Sequence, residues 1–224
     1  MQVDTTGSGD PLVWVMGWGN VADSRHERWL IDRFVDAGYR VHAIELPTNS
    51  PDFEGDYVQP VRSYLADLND PALVAHSMGG LTTAHVQPDR PVVYLSPWWG
   101  TDQSDGGLLG RLLFSIPTSY PFVPNPGSPE ALGDLATAED STSPDRISPN
   151  WIGAMTRAQA SLPPIDEDDV VFYTPDDDVV DPDAIEAHTS EAQRRTYDGG
   201  HELFASAGRE EYAEAVLAEL ERRH

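Results

Sequence analysis

The sequence predicts one α/β domain over residues 1–224, a mostly parallel sheet of about six strands with helices on both faces. Three observations lead there. Short apolar runs alternate with stretches whose apolar residues recur at helical spacing, the rhythm of strand–helix–strand units around a parallel sheet. One such run leads directly into a serine between small residues, with helical spacing beyond it. The rhythm breaks only once, over a long Gly-, Pro- and Ser-rich segment.

In order, Leu12 to Met16 forms a first buried strand ending in Gly17-Trp18-Gly19. Trp29, Leu30, Phe34 and Val35 mark a helix closed by Gly38. Arg40 to Ile44 is a second strand, and Val58 to Leu68 a helix after the turn-rich Thr48 to Gly55. Ala72 to Ala75 is a third strand, Gly79 to Val86 a helix, and Val92 to Leu95 a fourth strand. Residues 100–164 then depart from the pattern, with only two helical pieces expected, Leu108 to Ile116 and Trp151 to Leu162. A strandless segment of this length reads as a cap or lid. Asp169 to Tyr173, a helix near Asp183 to Ala192, the short strand Arg195 to Tyr197 and a helix from Glu210 to Arg222 complete the chain.

Composition narrows the partners. The chain carries 38 acidic and 14 basic residues, a net charge of −24, and every basic residue counted is arginine. Such a surface repels phosphate backbones and anionic headgroups, which argues against nucleic acid or membrane-surface partners. Acidity without lysine fits a halophile, where concentrated salt screens the carboxylates from one another. There is no cysteine, so disulfides and thiolate metal sites are excluded. Met1 to Pro11 has neither a basic region nor a long apolar stretch, and no apolar run is long enough to span a bilayer, so a cytoplasmic location is expected.

The chemistry centres on Ala75-His76-Ser77-Met78-Gly79-Gly80. A serine hydroxyl is a poor nucleophile until it is exposed on a sharp turn and given a base. A strand turning abruptly into a helix supplies the exposure, and small flanking residues permit the turn. Ser77 is therefore the candidate nucleophile.

This stretch resembles the nucleophile elbow of small bacterial lipases and esterases of the α/β-hydrolase superfamily. The resemblance spans nearly the whole chain and implies an α/β-hydrolase fold, with the family's first two strands missing. It implies a serine hydrolase that needs no cofactor or metal and acts on a small acyl substrate, a hydrophobic one included. Met78 and Trp18 would supply backbone N–H groups to an oxyanion hole; Met16 stands where the family often has histidine. His201, in Asp198-Gly199-Gly200-His201-Glu202 after the last strand, would be the base. His76 is expected to face away from a site that Ser77 faces. In Asp176-Asp177-Asp178-Val179-Val180, alignment on the valines makes Asp177 the triad acid. A shift of one residue would choose Asp178, and Asp102 is a more distant alternative. The order Ser, Asp, His is that of this fold.

Trp98 and Trp99 follow the fourth strand at the end where open α/β sheets bind ligands, and with Leu108, Leu109, Leu112, Leu113, Phe114 and Ile116 they form either a pocket roof or the cap's own core. Carboxylic-ester hydrolysis is the leading activity. Thioester, amide or peptide cleavage on the same triad, and a catalytically idle binding protein, are the alternatives.

Overall fold

The computed structural model describes residues 1–100, 117–140 and 142–223. Seven strands form one sheet: β1 (Gln2–Thr6), β2 (Asp10–Val15), β3 (Tyr39–Glu45), β4 (Ala72–His76), β5 (Val92–Leu95), β8 (Val170–Tyr173) and β9 (Arg194–Thr196). Their spatial order is β1-β3-β2-β4-β5-β8-β9. All pairings are parallel except β1 with β3, where Val3 opposes Ile44.

Leu12 to Val15 of β2, Ala72 to Ala75 of β4, and all of β5 and β8 are apolar without interruption because helices cover both faces. Alternation then divides their side chains. Val13, Val15, Leu73, Ala75, Tyr94 and Val171 join one core, which also takes in residues of α2 (Gln59–Ala66), α3 (Met78–Val86) and α5 (Pro149–Ala160). Leu12, Trp14, Val74, Val93 and Phe172 join the other, against α1 (Arg25–Asp36) and α7 (Arg209–Arg223). Trp14 meets Phe34 and Phe204 edge to face at 6.3 and 5.4 Å. Gly38 closes α1 at φ 95°, as its position in the sequence suggested.

The sheet has one strand more than expected. β1 was hidden by its composition: Gln-Val-Asp-Thr-Thr lies at an edge, half exposed, and carries almost no apolar signal. It supplies one of the two strands expected to be missing. The long segment is not strandless either. Val123–Pro124 (β6) and Arg146–Ile147 (β7) form a two-residue antiparallel ladder, too short to leave a periodic pattern. Between them lies α4 (Pro129–Leu132). The expected helix Leu108 to Ile116 lies outside the described residues, as does Asp102. The helix after β8, α6 (Pro182–His188), stops where Thr189 turns extended. Among the described residues no helix is long and apolar enough to cross a membrane.

Phe204 links the α1–α7 side of the core to the loop before α7, packing on both Trp14 and His76. It has no exposed surface. Phe204→Ala should therefore cost about 3–5 kcal/mol in urea unfolding; a loss below about 1 kcal/mol would contradict this packing.

Candidate active site

Ser77 sits where β4 becomes α3, with φ 51° and ψ −118°. A left-handed non-glycine residue costs about 1–3 kcal/mol and persists only where its surroundings over-determine it. Here they do. The Ser77 N–H donates to Leu95 O at 3.1 Å, and Ser77 O accepts from Trp98 N at 2.9 Å and from Leu81 N at 3.2 Å. Behind the serine, α3 presses onto neighbouring backbone. A Cβ on Gly79 would lie 2.1 Å from Val15 O, and one on Gly80 would lie 2.6 Å from Pro97 Cβ. Side chains at either position would force the helix away and open the turn.

His201 lies on the loop after β9, 3% exposed, with Nδ1 2.9 Å from Asp177 Oδ2. The Asp177 carboxylate has no exposed surface. Its Oδ1 accepts from Val179 N at 2.8 Å and from Val180 N at 3.0 Å. Burial pushes this carboxyl up, but the His201 charge and these hydrogen bonds outweigh it and hold it below its usual range. Burial likewise pulls the imidazole down, and Asp177 with Glu202 more than reverses it, leaving His201 above its usual value. The carboxylate also fixes the tautomer: Nδ1 carries the proton, leaving the Nε2 lone pair free to accept one. Asp178 is exposed, so of the two adjacent candidates Asp177 is the one joined to His201. Tyr197 anchors the loop. Its hydroxyl lies 2.8 Å from Gly200 O and 3.1 Å from His201 O. Because its single proton goes to these carbonyls, the Ser96 hydroxyl at 3.0 Å donates to it.

The Gly17–Asn20 turn follows β2, closed by Asn20 N donating to Gly17 O at 3.3 Å. Neither the Trp18 nor the Met78 amide N–H donates to another described residue. Trp18 stacks on Trp151 of α5 at 4.9 Å, and Trp98 meets Trp151 at 5.7 Å. The indole N–H groups of Trp18 and Trp98 are buried without a partner among the described residues. Trp99 takes neither of the two roles open to it, a pocket roof or the cap's own core. It is 2% exposed, packs on Tyr94 at 5.0 Å and donates to Gly80 O, so it belongs to the core beneath α3. The leucines grouped with it, Phe114 and Ile116 lie outside the described residues.

The long segment is bound to both walls of this site. Thr142 and Ser143 hydroxyls donate to Gly19 O and Trp18 O. His201 N and Glu202 N donate to Ala131 O and Leu132 O.

A model of the alpha/beta hydrolase family matches residues 8–215. The chain belongs to that family. It is a hydrolase, and its fold is shared with several solved enzymes of low sequence identity. A monoacylglycerol lipase of Paleococcus ferrophilus is 20% identical over the full length of both chains, with a TM-score of 0.75. An esterase of Exiguobacterium antarcticum is 18% identical over 98% of this chain and 94% of its own, with a TM-score of 0.67. A soluble variant of monoglyceride lipase from Saccharomyces cerevisiae is 11% identical over 99% and 90%, with a TM-score of 0.69. No curated protein matches in sequence.

Other histidines of the hydrolase have structural partners. His85 Nε2 meets Ala158 O at 3.0 Å, and His42 Nδ1 meets Tyr64 Oη at 2.7 Å. His76 lies among buried groups next to Phe204, whose ring is 5.2 Å from its own. Its ring lies 4.9 Å from that of His201, directly behind the site. Burial, then the neighbouring His201 charge, hold it well below its usual value, so it is neutral. Asn20, Glu27 and Glu202 complete a buried polar group around it that sequence reading missed. The only signals were an asparagine ending the glycine turn and a glutamate following His201. Among the described residues no group of three or more His, Asp or Glu could hold a metal ion.

If Asp177 is what raises the imidazole, Asp177→Asn should lower the pH at which His201 protonates. Ring-proton NMR titration measures this directly; an unchanged midpoint would show that the pair is not coupled.

Proposed function

We propose that this hydrolase cleaves carboxylic esters through Ser77, His201 and Asp177, by way of an acyl-enzyme. The observation that carries the reading is the buried Asp177–His201 pair at 2.9 Å, which leaves Nε2 as the unprotonated nitrogen. Nε2 takes the Ser77 proton as Oγ attacks the ester carbonyl. The charge that develops on the carbonyl oxygen falls to the Trp18 and Met78 amide N–H groups, each such donor being worth about 10²–10³ in rate. The imidazolium, stabilised by Asp177, protonates the departing alcohol. Water, deprotonated by the same nitrogen, then releases the acid.

Residues 100–164 serve in this reading as a cap. Its support is the set of hydrogen bonds with the walls of the site, donated by Thr142 and Ser143 and accepted by the Ala131 and Leu132 carbonyls. Trp18 and Trp98, backed by the buried Trp151, give the acyl pocket an aromatic lining, suited to hydrophobic esters. The lipases and esterases among the structural relatives agree with that choice. In this reading the enzyme works in a salt-rich cytoplasm; its support is the excess of 38 acidic residues over 14 arginines, a surface that relies on counter-ions to limit self-repulsion.

A fluorophosphonate probe should label wild type and leave Ser77→Ala unlabelled; folded wild type that resists labelling would refute the assignment. p-Nitrophenyl esters compared with thioester and amide substrates should show the ester preference. The thermal unfolding midpoint should climb between about 0.1 M and about 1 M KCl, as the Debye length shrinks from about 10 to about 3 Å. A midpoint indifferent to salt would remove the halophilic reading.

A further inference from the structure

The buried polar group behind the triad is organised around one side chain. Asn20 ends the turn that carries Trp18, and its amide nitrogen donates to two carboxylates, Glu27 Oε1 at 2.6 Å and Glu202 Oε1 at 2.9 Å. Its carbonyl oxygen lies 3.2 Å from His76 Nδ1. An amide oxygen can only accept, so neutral His76 carries its proton on Nδ1. Gly17 is kept bare by this arrangement, since a Cβ there would lie 2.4 Å from Asn20 Oδ1 and 2.8 Å from His76 Nδ1. One residue thus touches the turn, the residue before Ser77, the residue after His201 and the first turn of α1.

Both carboxylates are nearly inaccessible, Glu27 at 4% and Glu202 at 5% exposure. Two carboxylate oxygens meeting at one amide nitrogen, away from water, resist being ionised together. Of the charged and titratable groups around them, His201 pulls the other way at Glu202, without reversing the effect of burial. Asp140 faces both glutamates and adds to the negative charge, while its own partners are His26 at 3.5 Å and Arg25 at 3.5 Å. Arg209 lies beside His26, whereas His201 faces Glu202 and, with Asp177, faces His76. Burial, then Glu202, pushes Glu27 up to about 8; burial also raises Glu202.

We propose that Asn20 is a positioning residue that clamps the Gly17–Asn20 turn to the histidine loop through the buried Glu27–Glu202 pair, a clamp that holds while the pair keeps one proton. The proposal rests on Ser77, His201 and the turn being the hydrolytic machinery described above. With one proton, one carboxyl is neutral and the amide serves both acceptors. When the second carboxyl ionises, two like charges share one donor beneath the oxyanion turn, and the turn and the loop are driven apart.

The test compares wild type, Asn20→Ala and Glu27→Gln in p-nitrophenyl ester hydrolysis and in thermal unfolding. Asn20→Ala should lower kcat by about tenfold or more with KM little changed, because the donors lose their alignment rather than the pocket its walls. Wild-type kcat should fall as pH rises from 7 to 9. Glu27→Gln, which keeps the shape of the protonated pair, should lose that alkaline decline. Unfolding reads the same proton without turnover. The raised carboxyl stabilises the fold fully below about 4.5, its ordinary value, and that contribution is lost as pH climbs to about 8. The wild-type midpoint should therefore fall relative to that of Glu27→Gln across this window. Folded Asn20→Ala with wild-type kcat, or Glu27→Gln with the wild-type pH profiles, would overturn the proposal. If Asn20→Ala does not fold, the Glu27→Gln profiles decide alone. Should wild type neither hydrolyse esters nor react with the fluorophosphonate, the hydrolytic reading fails and the role in positioning with it, while the unfolding profiles still judge the shared proton.

Discussion

The close approach of α3 to the carboxyl ends of β2 and β4 is the constraint on which the site depends. Gly79 brings the helix against Val15 O, and Gly80 lets it pass Pro97. With the helix at that distance, the chain between β4 and α3 has no room for a wider turn, and Ser77 is held at a positive φ. The same proximity brings the end of β2 alongside the elbow, so the glycine turn that follows lies within reach of the serine's neighbours. Trp98 N–H bonding to Ser77 O ties the chain after β5 to the same point. Histidine and aspartate then need only arrive on loops from β9 and β8, the strands next along the sheet.

Charge is handled differently inside and outside. The surface carries its acidic excess into solvent, where salt can screen it. Inside, each buried carboxylate has specific partners. Asp177 has two amides and an imidazole. Glu219, 2% exposed, accepts from Arg195, Arg222 and Arg223. Among the described residues Glu27 and Glu202 form no salt bridge and share an amide instead, which is why their environment favours a proton over a second charge. That exception lies directly behind His201.

What the sequence made legible followed the strength of local signals. β2, β4, β5 and β8 are buried on both faces, so each was an apolar run, and the elbow was visible because its small residues sit at a strand–helix junction. β1 carries a polar edge pattern, and β6 and β7 are two residues each; neither leaves a period to read. Three consecutive aspartates are equivalent in a sequence, and only burial separates Asp177 from its neighbours. The adjacent tryptophans 98 and 99 also looked alike. The backbone turns Trp99 into the core beneath α3 and leaves Trp98 beside Trp151. Asn20 and Glu202 are 182 residues apart and carry no shared motif, so only the folded chain brings them together.

The outer strands of the sheet have a bearing on how the protein behaves when crowded. Concentrated salt removes the long-range repulsion that keeps acidic proteins apart, and an open strand is then free to pair with another molecule. Here one end of the sheet finishes in β1, polar and bearing Asp4, and the other in β9, three residues long. The two arginines of β9 are already engaged, Arg194 with Glu186 and Arg195 with Glu219. Neither margin offers a long apolar template, so resistance to aggregation is built into the ends of the sheet as well as into the net charge.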